Sequence, residues 1–135
     1  MTYKDVELHI TELLEANANL RHWWTHPPSL MHFPFMGNRQ HHFLLISISV
    51  KAELMDREKQ VEHGLAVAQI ALASGLLTDE KGVEVPVWLI EPRRRRIFRL
   101  SIHEAAYAQA KKLSASDLLS KQYDGIKCSW PLVET

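Results

Sequence analysis

The sequence contains few of the residues that cross-link a chain. Among its 135 residues there is one cysteine, Cys128, so neither an internal disulfide nor a zinc site built from several cysteines can form. A single thiol is typical of proteins in a reducing compartment. The chain also lacks the opening pattern of a signal peptide and any apolar run of membrane-spanning length. These features predict a cytoplasmic protein that is not embedded in a membrane.

Excess charge of either sign is absent as well. Sixteen basic side chains balance sixteen acidic ones, so no overall electric field steers the protein towards nucleic acid or a membrane. Any electrostatic recognition must therefore be local. A hydrophobic content of 46% with 24% charged residues is typical of a globular protein and argues against a disordered one. The length predicts one domain, residues 1–135, with its own core.

Hydrophobic periodicity predicts alternating helices and strands. The predicted elements are a helix over about 4–20, an irregular connector rich in aromatic residues and histidine over 21–40 with at most a short strand near 30–36, a strand over 41–50, a helix over about 54–77, a hairpin of strands 85–91 and 96–102, a helix over about 103–112, a short helix after 114, and an extended tail over 123–135. Gly64 within the second long helix indicates a close contact there. The order predicts a single α/β domain in which helices flank a small mixed sheet.

The predicted strand over 41–50 is followed directly by a lysine, Lys51. In metal-dependent nucleases, an acid and a lysine two residues apart on one strand point to the same face, where they serve Mg²⁺ binding and charge stabilisation at the phosphate. The acid position here is occupied by Ser49. The alternative interpretation, a strand that simply ends beside a lysine, stays open.

Other short motifs accompany this strand in the first 75 residues. They are Val6-Glu7-Leu8 in a leucine-rich helix, His26-Pro27, Met36-Gly37-Asn38-Arg39, His41-His42-Phe43-Leu44 and Ser49-Val50-Lys51. In this order they resemble the PD-(D/E)xK nuclease superfamily, and within it the TnsA-type transposon end-cleaving endonucleases. The resemblance implies a restriction-endonuclease-like fold.

The same resemblance assigns roles to four positions. Glu7 would be the metal ligand on the helix and Lys51 the lysine of the motif, while His42 and Ser49 stand where the family has its two central acids. It therefore implies a nuclease-like, nucleic-acid-binding component of a larger DNA-processing or mobile-element complex, with weak or no cleavage. The implied cofactor is none or Mg²⁺, with Glu7 and His42 as the candidate metal ligands.

Five of the eight histidines lie between residues 22 and 42, at positions 22, 26, 32, 41 and 42. His22 and His26 are four residues apart, a spacing that can place two metal ligands on one helix face. Pro27 interrupts any helix at that point, however. The histidines therefore indicate either a metal site or an exposed connector.

Five arginines lie within seven residues, at Arg93, Arg94, Arg95, Arg96 and Arg99. Arginine binds phosphate through two parallel hydrogen bonds, so this hairpin predicts a nucleic-acid contact. Flanking aromatic rings, Trp88 and Phe98, could stack on bases, although their positions suit core packing better. Two alternatives stay open: a solvated turn that keeps an edge hairpin soluble, and a contact with an acidic protein.

The connector contains four large aromatic residues, Trp23, Trp24, Phe33 and Phe35. Exposed rings of this number are typical of protein interfaces, so they predict a homo-oligomer or a subunit of a complex. The alternative function is a small protein-interaction module, an inhibitor or an adaptor, that uses this segment. Packing of Trp23 and Trp24 into the core is the simpler interpretation of that pair.

Overall fold

The apolar stretch around Ile46 and Ile48 forms the second strand of a five-stranded sheet. The computed structural model describes residues 2–34, 42–77, 82–91, 93 and 95–131. Its elements in chain order are α1 (Tyr3–Glu15), α2 (Ala18–Arg21), β1 (Ser29–Pro34), β2 (His42–Ser49), α3 (Arg57–Ala73), β3 (Val83–Ile90), β4 (Arg96–His103), a 3₁₀ turn (Glu104–Ala106), α4 (Tyr107–Ala110), α5 (Ala115–Ser120) and β5 (Ile126–Ser129).

The strands lie side by side in chain order, β1 to β5. β2 and β3 are parallel and are joined by α3, whereas every other neighbouring pair is antiparallel. The predicted single α/β domain with a mixed sheet and flanking helices is therefore confirmed, as is the hairpin of β3 and β4. The restriction-endonuclease-like fold stays a prediction.

Helices form a single layer on one face of the sheet. Alternate residues of the strands are buried beneath that layer, among them Ile46, Val87 and Leu100. α3 packs on β3 and β4 and also contacts α1, α4 and α5, so these helices share one side. No helix of the described residues covers the opposite side, which we call the open face; it carries the intervening side chains such as Trp88 and Arg99.

Close packing of α3 on the sheet depends on Gly64. A Cβ atom at this position would lie 2.9 Å from Cε2 of Phe98 and 3.4 Å from Cβ of Leu100. The close contact predicted at Gly64 is therefore present. α3 begins after Asp56, whose carboxylate accepts hydrogen bonds from the N–H groups of Glu58 and Lys59, as expected of an N-cap residue.

Several element boundaries differ from the prediction. The helix predicted over 4–20 is interrupted at Asn17, whose side chain accepts a hydrogen bond from the N–H of Leu20 and starts the separate helix α2. The short strand predicted near 30–36 is present as β1, which begins at Ser29 and pairs along its whole length with β2. The predicted tail contains β5, which pairs with β4. Both strands lie at sheet edges, where pairing rather than periodicity defines them.

None of the helices in the described part of the chain is long and apolar enough to span a membrane.

Candidate nucleic-acid interface

The structure does not bring the predicted catalytic positions together. His42 and Ser49 are the first and last residues of β2, so their Cα atoms are roughly 23 Å apart at the rise of an extended strand. Lys51 lies beyond Ser49, where its N–H donates to the carbonyl of Trp23 at 2.8 Å. Two metal ligands of one site lie within a few ångströms of the ion, so His42 and Ser49 cannot share one.

Glu7 has a structural partner at the edge of the sheet. Its Oε1 accepts a hydrogen bond of 2.8 Å from the backbone N–H of His32 in β1. A strand N–H points to one side only, so the N–H of His32 is directed away from β2. β1 therefore lies between Glu7 and β2. The carboxylate thus satisfies an edge group that the sheet leaves without a strand partner.

The predicted histidine site is dispersed in the part of the chain that the structure describes. The ring of His22 contacts Trp23, that of His32 contacts Tyr3 at 4.3 Å between centroids, and Nδ1 of His26 is hydrogen-bonded to the Thr25 hydroxyl. His41 and the side chain of His42 lie outside the described residues. Within the described residues, no three His, Cys, Asp or Glu side chains form a group that could hold a metal ion.

The four aromatic residues of the predicted partner surface differ in their environments. Trp24 is buried in the core, and its backbone forms a β-bridge with Val50, so its ring is not accessible in the folded chain. Trp23 is half-buried. Phe33 belongs to β1, but its side chain lies outside the described residues, as does the whole of Phe35. Trp24 is therefore a core residue, and the prediction of a partner surface now concerns only Trp23, Phe33 and Phe35.

Trp24 is held by a buried histidine of α3. The indole Nε1–H donates to Nε2 of His63 at 2.9 Å. Because an indole nitrogen can only donate, neutral His63 must carry its proton on Nδ1. Burial lowers the pKa of His63 from 6.5 to about 4, since a charged ring would lose its hydration there. His63 is therefore neutral at physiological pH.

The open face carries an aromatic ring close to two arginines. Trp88 of β3 lies opposite Arg99 of β4 and Ser47 of β2 in the sheet register. The guanidinium carbon of Arg96 is 4.0 Å from the centroid of the Trp88 ring, and that of Arg99 is 6.0 Å away. Such distances place both cations within the range of cation–π attraction. The hairpin arginines and Trp88 thus form one surface.

The remaining arginines continue this surface beyond the end of β3. Arg93 and Arg95 are exposed in the connection between β3 and β4, and Arg94 lies outside the described residues. Arg95 Nε is 3.9 Å from a carboxylate oxygen of Glu91, in a long pair whose arginine side chain is 52% exposed and whose glutamate side chain is 18% exposed. Arg93, Arg95, Arg96 and Arg99 are therefore accessible to a ligand, as the sequence predicts for this cluster.

Two donors near the cluster have no hydrogen-bond partner among the described residues. They are Nε1–H of Trp88 and the hydroxyl of Ser101, and both atoms are shielded from solvent. Ser101 is only 5% exposed. It lies two residues after Arg99 on β4, on the same face of the sheet, and is paired with Lys127 of β5. A buried polar group without a partner costs about 1–3 kcal/mol.

Sequence reasoning placed Trp88 and Phe98 together, whereas the structure separates them. Phe98 is fully buried beneath α3, and Trp88 is half-buried on the open face. The alternation of residues in β3 could have indicated the position of Trp88, because Val87 and Leu89 on either side of it are buried. A strand with valine and leucine on one face must turn the residue between them to the other.

A cleft of about 880 Å³ lies beside the outer edge of β5, lined by residues 118–130 and by Arg99. Trp130 fixes its wall, because its Nε1–H donates to Oε1 of Gln60 at 2.8 Å. Cys128 also lines the cleft, and burial raises the pKa of its thiol to about 11. At neutral pH this thiol is protonated and is a poor nucleophile.

Comparisons of the chain with protein-family models, with curated proteins and with solved structures found no match. Its function is therefore inferred from its own residues and their arrangement.

Proposed function

We propose that the protein binds nucleic acid through its open face and the connection between β3 and β4. The observation that carries this proposal is the closeness of the Trp88 ring to the guanidinium groups of Arg96 and Arg99, at 4.0 and 6.0 Å. The face combines an aromatic ring for bases with cations for phosphates, which is the combination that proteins use to bind single strands. Exposed Arg93 and Arg95 extend the cationic part.

Binding would proceed by exchange of contacts on Trp88. In the free protein the guanidinium of Arg96 lies over one face of the indole ring. An incoming base takes that place, and Arg96 turns to a phosphate oxygen, with which it forms stronger, charge-assisted hydrogen bonds. Each phosphate neutralised in this way releases bound counterions, so affinity must fall as salt increases.

Cleavage is not part of the proposal. A metal-dependent cut needs oxygen ligands that converge on one ion, and Glu7 and the two ends of β2 are separated by the sheet geometry described above. We therefore propose a nucleic-acid-binding component, cytoplasmic and working within a larger DNA-processing complex, that does not cut its ligand.

The test compares two arginine variants with a matched control. Arg96→Gln and Arg99→Gln should each weaken binding of a fluorescent oligonucleotide about tenfold, because each removes a charged hydrogen-bond donor. Each should also reduce the slope of log Kd against log salt by about one unit if one phosphate contact is lost. Fluorescence anisotropy at several salt concentrations measures both effects.

Arg21→Gln is the control, since Arg21 is an exposed arginine in α2, within the helix layer. Its affinity and salt slope should equal those of the unmodified protein. Equal losses in all three variants would indicate a nonspecific charge effect, and no detectable binding of DNA or RNA by the unmodified protein would refute the proposal.

A second candidate function, a protein-interaction module, is favoured by a groove on the helix layer. It is lined by apolar side chains of α1 and α3, including Leu13, which is 45% exposed, and Ile70. Apolar grooves between helices are common contact surfaces for partner proteins. Replacement of Leu13 by Glu should abolish partner binding under this alternative and leave nucleic-acid binding unchanged.

A further inference from the structure

The open face and the cleft beside β5 share a side chain. Arg99 lies 6.0 Å from the Trp88 ring and also lines the cleft. We infer that the ligand is a single-stranded polynucleotide whose path begins at Trp88, crosses β4 at Arg99 and continues into this cleft. The inference rests on the proposed function and adds to it the form of the ligand and a second binding position.

The cleft repeats the chemistry of the open face. Its lining includes Tyr123, which is half-buried, with Nζ of Lys121 at 5.6 Å from the ring centroid. An aromatic ring beside a cation is what Trp88 and its arginines also offer. The charges that line the cleft are those of Arg99, Lys121 and Lys127 against the single carboxylate of Asp124. The balance is positive and favours a phosphate backbone.

The separation of the two rings suits a short stretch of single strand. β3 and β5 are two strand spacings apart. Ser129 of β5 is paired with Arg99, and Ile126 lies at the other end of β5. Tyr123 forms a β-bridge with Ile126. These steps place the Cα atoms of Trp88 and Tyr123 roughly 15 Å apart. A strand whose bases leave their own stack to lie on protein rings is more extended than the roughly 3.4 Å per nucleotide of a duplex strand, so a few nucleotides span that distance.

A single strand fits this surface better than a duplex. Bases in a duplex are stacked on each other, so neither Trp88 nor Tyr123 could reach a base face.

The test uses fluorescent oligothymidylate and oligouridylate of about 12 nucleotides, together with a DNA duplex of the same length. Tyr123→Leu should weaken binding of either single strand about tenfold, the usual effect of losing one stacked base. Tyr123→Phe is the matched control and should bind like the unmodified protein, because it keeps the ring. The single strands should bind more tightly than the duplex.

Length provides an independent measurement. With a thymidine dinucleotide, too short to join Trp88 and Tyr123, Tyr123→Leu and the unmodified protein should bind equally, whereas replacement of Trp88 by Leu should still weaken binding. Equal affinity for duplex and single strand, or no effect of Tyr123→Leu at any length, would overturn the inference while leaving nucleic-acid binding in place. A preference between thymidylate and uridylate would show whether the strand is DNA or RNA.

Discussion

His63 shows how one buried side chain connects the core to the solution pH. Its neutral ring accepts the Nε1–H of Trp24, whereas a protonated ring would present a second N–H to the same donor. The histidine therefore loses both hydration and its hydrogen bond when it gains a proton. Its chemistry is structural, because a histidine with a pKa of about 4 is far from the pH at which general bases work best.

We expect the free energy of unfolding to decrease as the pH falls from 6.5 towards 4. The pKa of His63 is about 4 in the folded chain against an ordinary value of 6.5, so over this interval the unfolded state binds more protons than the folded state. The loss from this group should approach about 3 kcal/mol, and above pH 6.5 the group should contribute no pH dependence. Urea unfolding at a series of pH values measures this change in the free energy of unfolding.

The control is His63→Gln, which keeps an acceptor for Trp24 but does not titrate. Its stability should vary less with pH between 6.5 and 4 than that of the unmodified protein. Identical pH profiles for the two proteins would assign the acid sensitivity to other groups.

Among the elements, α3 is the one whose sequence is shaped most by its neighbours. It has buried residues on several sides, including the polar Gln60 and His63, because it lies between the sheet and other helices. Gln60 bridges two segments, since its Nε2 donates to the carbonyl of Leu54 and its Oε1 accepts from Trp130. A helix in this position needs small residues where it approaches the sheet.

Gly64→Ala should therefore destabilise the protein by about 1–3 kcal/mol. Alanine favours a helix over glycine by about 1 kcal/mol, but its Cβ would meet the buried ring of Phe98 at 2.9 Å, and overpacking of a core costs more than that gain. Thermal unfolding measures the difference. Glu62→Ala, at an exposed position of the same helix, should change stability by less than about 0.5 kcal/mol, and a more stable Gly64→Ala protein would contradict the close packing of α3.

The whole molecule has two layers, and its asymmetry decides where a ligand can bind. Helices cover one side of the sheet, whereas no helix of the described residues covers the side with Trp88 and Arg99. A sheet face that solvent covers normally carries polar side chains, and here Trp88 and Arg99 are among the side chains on that face. The predicted homo-oligomer or complex stays a prediction, to be checked by light scattering.

The arrangement of β2 in the whole sheet leads to an expectation about chemistry. The variant with both His42→Asp and Ser49→Glu should not cleave DNA in the presence of Mg²⁺, because the two new carboxylates would lie at opposite ends of one strand, roughly 23 Å apart. A plasmid-nicking assay with Mg²⁺ or Mn²⁺ measures this. Cleavage by the double variant that disappears with Lys51→Ala would restore the nuclease interpretation.

Local patterns in the sequence were sufficient to predict β2, the β3–β4 hairpin and the course of α3. Period-two alternation around Ile46 and helical spacing around Leu65 each define a buried side from neighbouring residues alone. The cluster of arginines at the hairpin was also visible, because a run of charges needs no tertiary information. The class of fold follows from the order of these elements.

Only the tertiary structure decided which surfaces remain accessible. β5 became a strand through pairing with β4, and the environments of Trp24 and Trp88 were set by what packs over each ring. Glu7 likewise has its role from His32, twenty-five residues away. The physical reason is that hydrogen-bond register and burial depend on contacts between residues far apart in the chain, whereas periodicity reports only which side of an element is apolar.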